Sequence, residues 1–328
     1  MDRAVSGDSV PELSIVVVNY NTREATAACL RSVLDASPDV DLELVVVDNG
    51  STDGSVEAFR ERFADAPVTV IPAGENLGFA RGVNLGARAA SGSWVLLLNP
   101  DTITLPGSLG ALLGFARTHP EYGVFGGRTL RPDGTVDPSS CWGAPSLWSL
   151  AMFATMASTA FKHSPVFDPE SLGSWPRDTV REVPIITGCL LLTRRDDWER
   201  LGGMDEEYFL YGEDAEFSLR AGRSGLRRVV VPAAEIVHEV GGSSDAGGAK
   251  GCMVMAGKVT LLRKTWSPVR ASIGVFLLVT GVGVRAGLET LTRRSRAPWR
   301  TVWRRRADWL DGYPRAEATL FGRELATA

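Results

Sequence analysis

The sequence predicts an α/β fold in which a mostly parallel central sheet is flanked by helices on both faces. Three observations lead there. Apolar runs at "LSIVVVN", "LELVVVD" and "WVLLLN" lack the polar alternation of a strand with one wet face. Such runs mark strands buried on both sides, as in a parallel sheet covered by helices. They alternate with helix-length segments rather than hairpin turns, the pattern of a doubly wound domain. Each run also stops abruptly in polar residues, at Asn19, Asp48 and Asn99 to Asp101. Ligands of such sheets bind beyond the carboxyl ends of the strands, so these tips are the first candidate site.

The elements follow in order. Leu13 to Asn21 is a strand, and Thr22 to Leu34 a helix. "LELVVVDNGSTDG" repeats the pattern, with a second helix to about Phe63. Val68 to Ala73 is a third strand, "NLGFARGVNLGARAA" a loop entering a helix, and "WVLLLNPD" the fourth strand. After Pro106 a helix runs to about His119, and "YGVFGGRTL" is another strand. Trp142 to Val180, rich in Trp, Phe, Met, Ser and Pro, has weak periodicity and reads as a partly helical excursion able to cover a site. Regular structure resumes over Glu182 to Arg195, followed by a short helix and "GGMDEEYFLYGEDAEFSLRAGRSG". "LRRVVVP" and "EIVH" read as two short strands, and "GGSSDAGGAKG" as a flexible loop.

A chain of 328 residues buries a sizeable core. Its net charge of −4 gives no pull toward nucleic acid, and no nucleic-acid partner is expected. The four cysteines are scattered without CxxC spacing, which points to a reducing compartment rather than a disulfide framework or zinc site. "MDRAVSGDSVPE" has no apolar core, so no signal peptide is expected, and the cytosol or the cytosolic side of a membrane is.

At the strand tips two readings compete. Asn99, Pro100 and Asp101 are preferred turn residues; alternatively, Asp101 holds Mg²⁺ or Mn²⁺ shared with phosphate oxygens. "STDG" reads as a helix start, but Asp48 at the tip before it can accept from a nucleobase N–H or a ribose hydroxyl. "ENLGFARGVN" is neither GxGxxG nor a P-loop. Its glycines permit close backbone approach and Arg81 could reach a base or phosphate, while a plain loop before a helix fits equally. Glu213, Asp214 and Glu216 complement a helix dipole, or else the aromatic "YFLYG" approach buries a carboxylate beside a substrate. Burial raises a carboxylate's pKa and suits it to proton abstraction. His238, one of three histidines, is either structural or the second ligand of the cation site begun by Asp101. His119 and His163 lack such a setting.

The series "SIVVVNYN", "VVVDNGSTDG", "ENLGFARGVN", "LLLNPDT", "TGCLLLTRR", "GGMDEEYFLYGEDAEFSLR" and "PAAEIVH" occurs in that order. Over Leu13 to Ser243 it resembles the family 2 inverting glycosyltransferases of GT-A, Rossmann-like fold, and within them the bacterial rhamnosyltransferase-like branch. The resemblance implies that Asp48 contacts the base or ribose, with Asn19 lining the same pocket and Asn76, Arg81, Asn84 and Asn99 on the nucleotide-sugar side. It implies that Asp101 is the last acid of the metal-binding DxD motif, whose first acid is here Asn99, and that His238 joins the Mg²⁺ or Mn²⁺. Asp214 becomes the catalytic base with Glu213 in support, and Thr187 and Gly188 line the acceptor side. The domains implied are a flexible 1–12, a catalytic 13–250 with a nucleotide-sugar half 13–105 and an acceptor half 106–250, and a helical, basic, membrane-associating 251–328.

The expected reaction moves a sugar, with dTDP-rhamnose as leading donor, onto a cell-envelope glycan or polyprenyl-diphosphate-linked saccharide. A UDP-hexose transferase and a catalytically silent nucleotide-sugar or glycan-binding protein are the alternatives. Ala271 to Val284 is a run of fourteen apolar or small residues between Arg270 and Arg285. As a helix it reaches about 21 Å, short of the roughly 30 Å of a bilayer's hydrocarbon core. It either packs on the catalytic domain or enters a membrane from one face. Arg293 to Arg306 holds seven arginines and no acid, interleaved with Trp299 and Trp303, which suits an anionic membrane surface. A peripheral position on the inner face of the cell membrane follows, and a homo-oligomer through the tail stays open.

Overall fold

All seven residues of β1 (Leu13–Asn19) are buried, because side chains alternate across a sheet covered on both sides. Leu13, Ile15 and Val17 join one core with α1 (Arg23–Ala36) and α2 (Ser55–Arg62), whereas Val16 and Val18 join another with α3 (Phe79–Ala89). β2 (Leu42–Asp48), β3 (Val68–Pro72) and β4 (Trp94–Leu98) complete a parallel half-sheet in the order β3-β2-β1-β4. The order reverses between β1 and β4, which opens a crevice at their carboxyl ends. The computed structural model describes residues 10–238, 248–292 and 298–321. The expected flexible 1–12, the glycine-serine loop and the first arginines of the basic cluster lie largely outside them.

β5 (Thr102–Thr104), α4 (Ser108–Thr118) and β6 (Tyr122–Leu130) follow. The excursion is framed by the two-residue strands β7 (Val136–Asp137), β8 (Cys141–Trp142), β9 (Arg181–Glu182) and β10 (Ile185–Ile186), with α5 (Leu147–Ala154) and α6 (Ala157–Ala160) inside it. β11 (Leu190–Arg194), α7 (Arg195–Leu201), α8 (Glu213–Arg223) and β12 (Arg227–His238) close the sheet. β11 runs antiparallel to β4 and β6, and β12 runs antiparallel to β5. The two short strands expected over Leu226–Pro232 and Glu235–His238 are one. Its pairing with β6 shifts register between Val230 and Glu235, around Pro232, which has no N–H to give the ladder.

A third core is built by α9 (Gly248–Thr265), α10 (Pro268–Leu291), α11 (Pro298–Arg304), α12 (Arg306–Trp309) and α13 (Arg315–Phe321), which close over Tyr208 and Phe209. α10 corrects the expected length. It runs 24 residues, about 36 Å, and is long and apolar enough to cross a membrane by length and composition. Arg285 does not end it. That guanidinium is buried over the Phe153 ring at 3.7 Å and donates to Phe153 O at 2.6 Å and Thr159 Oγ1 at 2.9 Å. The two tryptophans expected at a lipid surface also turn inward. Trp299 meets Phe153 at 5.9 Å between ring centroids, and Trp303 packs on Gly283.

Candidate active site

Asn19 and Asp48 are register partners at the ends of β1 and β2. Asn19 is fully buried, donating to Asp48 Oδ1 at 2.7 Å and Ser51 Oγ at 3.0 Å. Its Oδ1 accepts from the hydroxyls of Thr22 at 2.9 Å and Thr26 at 2.8 Å. Asn19 therefore braces the Asp48 carboxylate. The other Asp48 oxygen accepts from Ser51 N at 3.0 Å, and each oxygen keeps a second lone pair. Asn19→Ala removes four hydrogen bonds where β1, β2 and α1 meet and is expected to destabilise the fold by about 2–4 kcal/mol; urea denaturation checks it.

The loop before α3 is pinned rather than open. Asn76 Oδ1 accepts from Gly78 N at 3.0 Å, and Gly78 O accepts from Asn49 Nδ2 at 2.9 Å. Gly78 has φ +79°, and a Cβ there would lie 2.4 Å from Phe209 O, so no other residue fits. Gly82 and Gly86 serve packing: a Cβ on Gly86 would come within 2.5 Å of Val16. Two expected nucleotide-side residues are engaged elsewhere. Arg81 forms a two-pronged ion pair with Glu317 of α13 at 2.9 and 3.1 Å. Asn84 brackets Met204, donating to its carbonyl at 2.8 Å and accepting from its N–H at 2.9 Å.

After β4 the chain turns, with Thr102 Oγ1 donating to Asn99 O at 2.7 Å. The turn does not exhaust Asp101. β5 pairs with the end of β12, setting Thr102 opposite His238, and His238 Nε2 lies 3.1 Å from Asp101 Oδ1. His238 Nδ1 is buried and has no hydrogen-bond partner among the described residues. Among the described residues no third metal-ligating side chain joins them. One carboxylate and one imidazole fit a divalent cation that draws its remaining ligands from phosphate oxygens and water.

Across the cleft, Asn99 N donates to Cys189 O at 3.3 Å, and the adjacent Gly188 N donates to Asp214 Oδ2 at 3.2 Å. This chain of contacts ties the first turn of α8 to the tip of β4. A Cβ on Gly188 would lie 3.1 Å from the Phe79 ring, so only a small residue lets Phe79 and Asp214 approach together. Thr187, expected on the acceptor side, turns its hydroxyl toward the carbonyls of Ser139 and Ser140, both at 3.0 Å. Phe79 and Ser51 were not singled out from the sequence; an aromatic opening a helix and a serine in a turn carry no distinguishing signal.

Burial raises the pKa of Asp214, against hydrogen bonds from the N–H groups of Gly188 and Ala215. Glu213, 5% exposed with Oε2 unpartnered, is pushed up to about 8 by burial and then by the charge of Asp214. Because the folded pKa of Glu213 exceeds its ordinary 4.5, its contribution to stability is full below about pH 4.5 and lost as pH rises through about 8. Glu213→Gln, which cannot ionise, is expected to remove much of that decline; melting temperatures measured across this window check it.

A crevice at the switch point of a mainly parallel sheet, edged by carboxylates, is the nucleotide-binding arrangement of α/β enzymes. Residues 14–170 match the family described as Glycosyl transferase family 2. Over 245 residues the chain is 33% identical to the N-acetylglucosaminyl-diphospho-decaprenol L-rhamnosyltransferase of Mycobacterium tuberculosis, covering 69% of this chain and 75% of that protein. It is 27% identical over 237 residues to the O-antigen biosynthesis protein RfbC of Myxococcus xanthus, 72% of this chain and 18% of the relative. A mannosyltransferase of Pyrobaculum calidifontis, solved with GDP-Man and Mn²⁺, superposes with a TM-score of 0.56 at 20% identity, covering 96% and 89% of the two chains. GalNAc-T7, solved with UDP, GalNAc and Mn²⁺, gives a TM-score of 0.61 at 15% identity, covering 94% of this chain and 59% of that one. The chain belongs to glycosyltransferase family 2, with a GT-A fold, and is a glycosyltransferase of the rhamnosyltransferase-like kind.

Proposed function

We propose that this protein transfers L-rhamnose from dTDP-rhamnose to a hydroxyl of a polyprenyl-diphosphate-linked saccharide, with inversion at the anomeric carbon. The observation that carries the chemistry is Asp214, a carboxylate of raised pKa tied through Gly188 and Cys189 to the tip of β4. Sugar and acceptor follow from the mycobacterial relative, whose name gives an L-rhamnosyltransferase acting on a diphospho-decaprenol.

In this reading Asp48 holds the nucleoside, and Asn99 flanks the donor. Asp101 and His238 would hold Mg²⁺ or Mn²⁺, in keeping with the Mn²⁺ of the two structural neighbours. When bound, the cation offsets negative charge on the diphosphate oxygens. Asp214 takes the proton of the acceptor hydroxyl as that oxygen bonds to the anomeric carbon. The bond from that carbon to the diphosphate breaks on the opposite face, dTDP departs with the electron pair, and the configuration inverts. One base suffices, since no sugar–enzyme bond forms. Glu213, protonated, leaves a single negative charge on the acidic pair. Residues 13–250 act as the catalytic domain, 13–105 toward donor and 106–250 toward acceptor. A lipid-linked acceptor places the protein at the inner face of the cell membrane.

A donor comparison tests the reading. With a GlcNAc-diphosphate-lipid acceptor, turnover is expected from dTDP-rhamnose and not from UDP-glucose, UDP-galactose or UDP-N-acetylglucosamine, and chelation should abolish it. Preference for a UDP-hexose would replace the donor. Failure of every donor to bind would leave a silent glycan-binding protein.

A further inference from the structure

α10 has two apolar faces, and the domain covers only one. Ala271, Gly274, Leu278, Gly281 and Val282 pack toward α5, α9 and α11. On the other side Val269, Ile273, Phe276, Val284, Leu288 and Leu291 are 73, 46, 68, 39, 42 and 80% exposed. Their spacing of three, four or eight residues keeps them in one stripe along the helix. Between Ala271 and Leu291 the charged side chains are Arg285 and Glu289, and both are buried. The stripe thus runs about 30 Å without an exposed charge. An apolar surface of that extent marks an interaction site.

The surroundings say what covers it. Arg270 lies at the start of the stripe, stacked on Trp266 at 4.2 Å. Arg300 and Arg304 of α11 and Arg306 of α12 lie on the helices that follow α10, α11 packing directly against it. Among the described residues none of these four arginines has an ion-pair partner. Exposed Trp148 stands on α5, which packs against α10. An uncharged apolar stripe that begins beside Arg270, with further unpaired arginines and an exposed indole on the helices packed against or following α10, matches an anionic lipid surface, where acyl chains meet phosphates. A bilayer-spanning pose is disfavoured by the buried face: Arg285 would have to abandon Phe153 O and Thr159 Oγ1 and enter hydrocarbon.

We propose that α10 docks the protein flat on an anionic bilayer, its Val269–Leu291 stripe among the acyl chains and its neighbouring arginines on lipid phosphates. Docking would set the excursion carrying α5 beside the membrane from which a lipid-linked acceptor is drawn. That purpose rests on the proposed function; the docking itself does not.

The test uses the full chain, without substrate, in flotation with vesicles of phosphatidylcholine alone or mixed with phosphatidylglycerol. Wild type is expected to float with the anionic vesicles only, and less so as salt is raised. The double variant Ile273→Ser, Phe276→Ser is expected to lose about tenfold or more in vesicle affinity with an unchanged melting temperature. The four native cysteines are buried, so the single variants Ser267→Cys and Thr292→Cys report orientation: both should react with an impermeant thiol reagent outside the vesicle. Reaction of only one would replace the flat pose with a spanning helix. Equal flotation of the variant, no flotation of wild type, or a wild-type dimer that the double variant dissociates would overturn the proposal, the last assigning the stripe to a second copy. Transfer to a short soluble acceptor should be unaffected by the double variant. Flotation without any transfer would sink the proposed function and leave docking standing.

Discussion

Asp214→Asn is expected to lower the rate of sugar transfer by about 10²–10⁴-fold with little change in donor affinity. The substitution keeps the side chain's shape and a carbonyl able to accept from Gly188 N or Ala215 N, the two contacts that hold it at the head of α8. Only the capacity to take a proton is lost. A fall in kcat at constant KM is the sign of an interaction made in the transition state and not in the ground state. In the wild type, activity should rise with pH through the raised pKa of Asp214 and then level off, because the base works only when ionised. Glu213→Gln should leave that limb in place, since Glu213 is already uncharged where Asp214 ionises. Single-turnover rates against pH for the three proteins check both statements. Unchanged turnover by Asp214→Asn would put the base elsewhere.

Asp101→Ala is expected to cost about 10²–10³-fold in activity and to abolish Mn²⁺ binding in the presence of dTDP-rhamnose, read by the electron paramagnetic resonance of free Mn²⁺. In the proposed site the carboxylate would be the hard ligand of a pair whose other member, His238, sits 3.1 Å away with its second nitrogen unpartnered among the described residues. Two protein ligands alone hold a divalent cation weakly, so binding should need the donor diphosphate as well. His238→Ala is expected to be milder, about 10–100-fold, because the carboxylate remains. Mn²⁺ binding by Asp101→Ala equal to wild type would remove the cation from this site.

Much of the catalytic half is legible in the residues themselves. Two-sided apolar runs announce the parallel strands, and polar tips announce the crevice, because both depend on local periodicity and chain direction. The motif order carried the family. Asp48 and Asp101 stand out as candidates by their place at strand tips, and Asp214 by the aromatic approach to its helix. Neighbouring polar residues could not be sorted the same way. Arg81 reads as a phosphate ligand until Glu317, 236 positions later, is found against it. Asn84 reads as a donor contact until Met204, 120 positions later, occupies its amide. Thr187 and Asn19 differ from ligands only in which partners surround them. Likewise, arginines at both ends of Ala271–Val284 suggested a short helix, and only the pocket beneath Phe153 explains why Arg285 stays inside a longer one.

The sequence by itself determined the strands, their buried faces, the family, and the carboxylates brought to the crevice, since short-range pattern dictates these. Tertiary structure alone decided which polar atoms remain available and which face of α10 stays uncovered. A hydrogen-bonding group is free or engaged only relative to partners that chain folding delivers from far away.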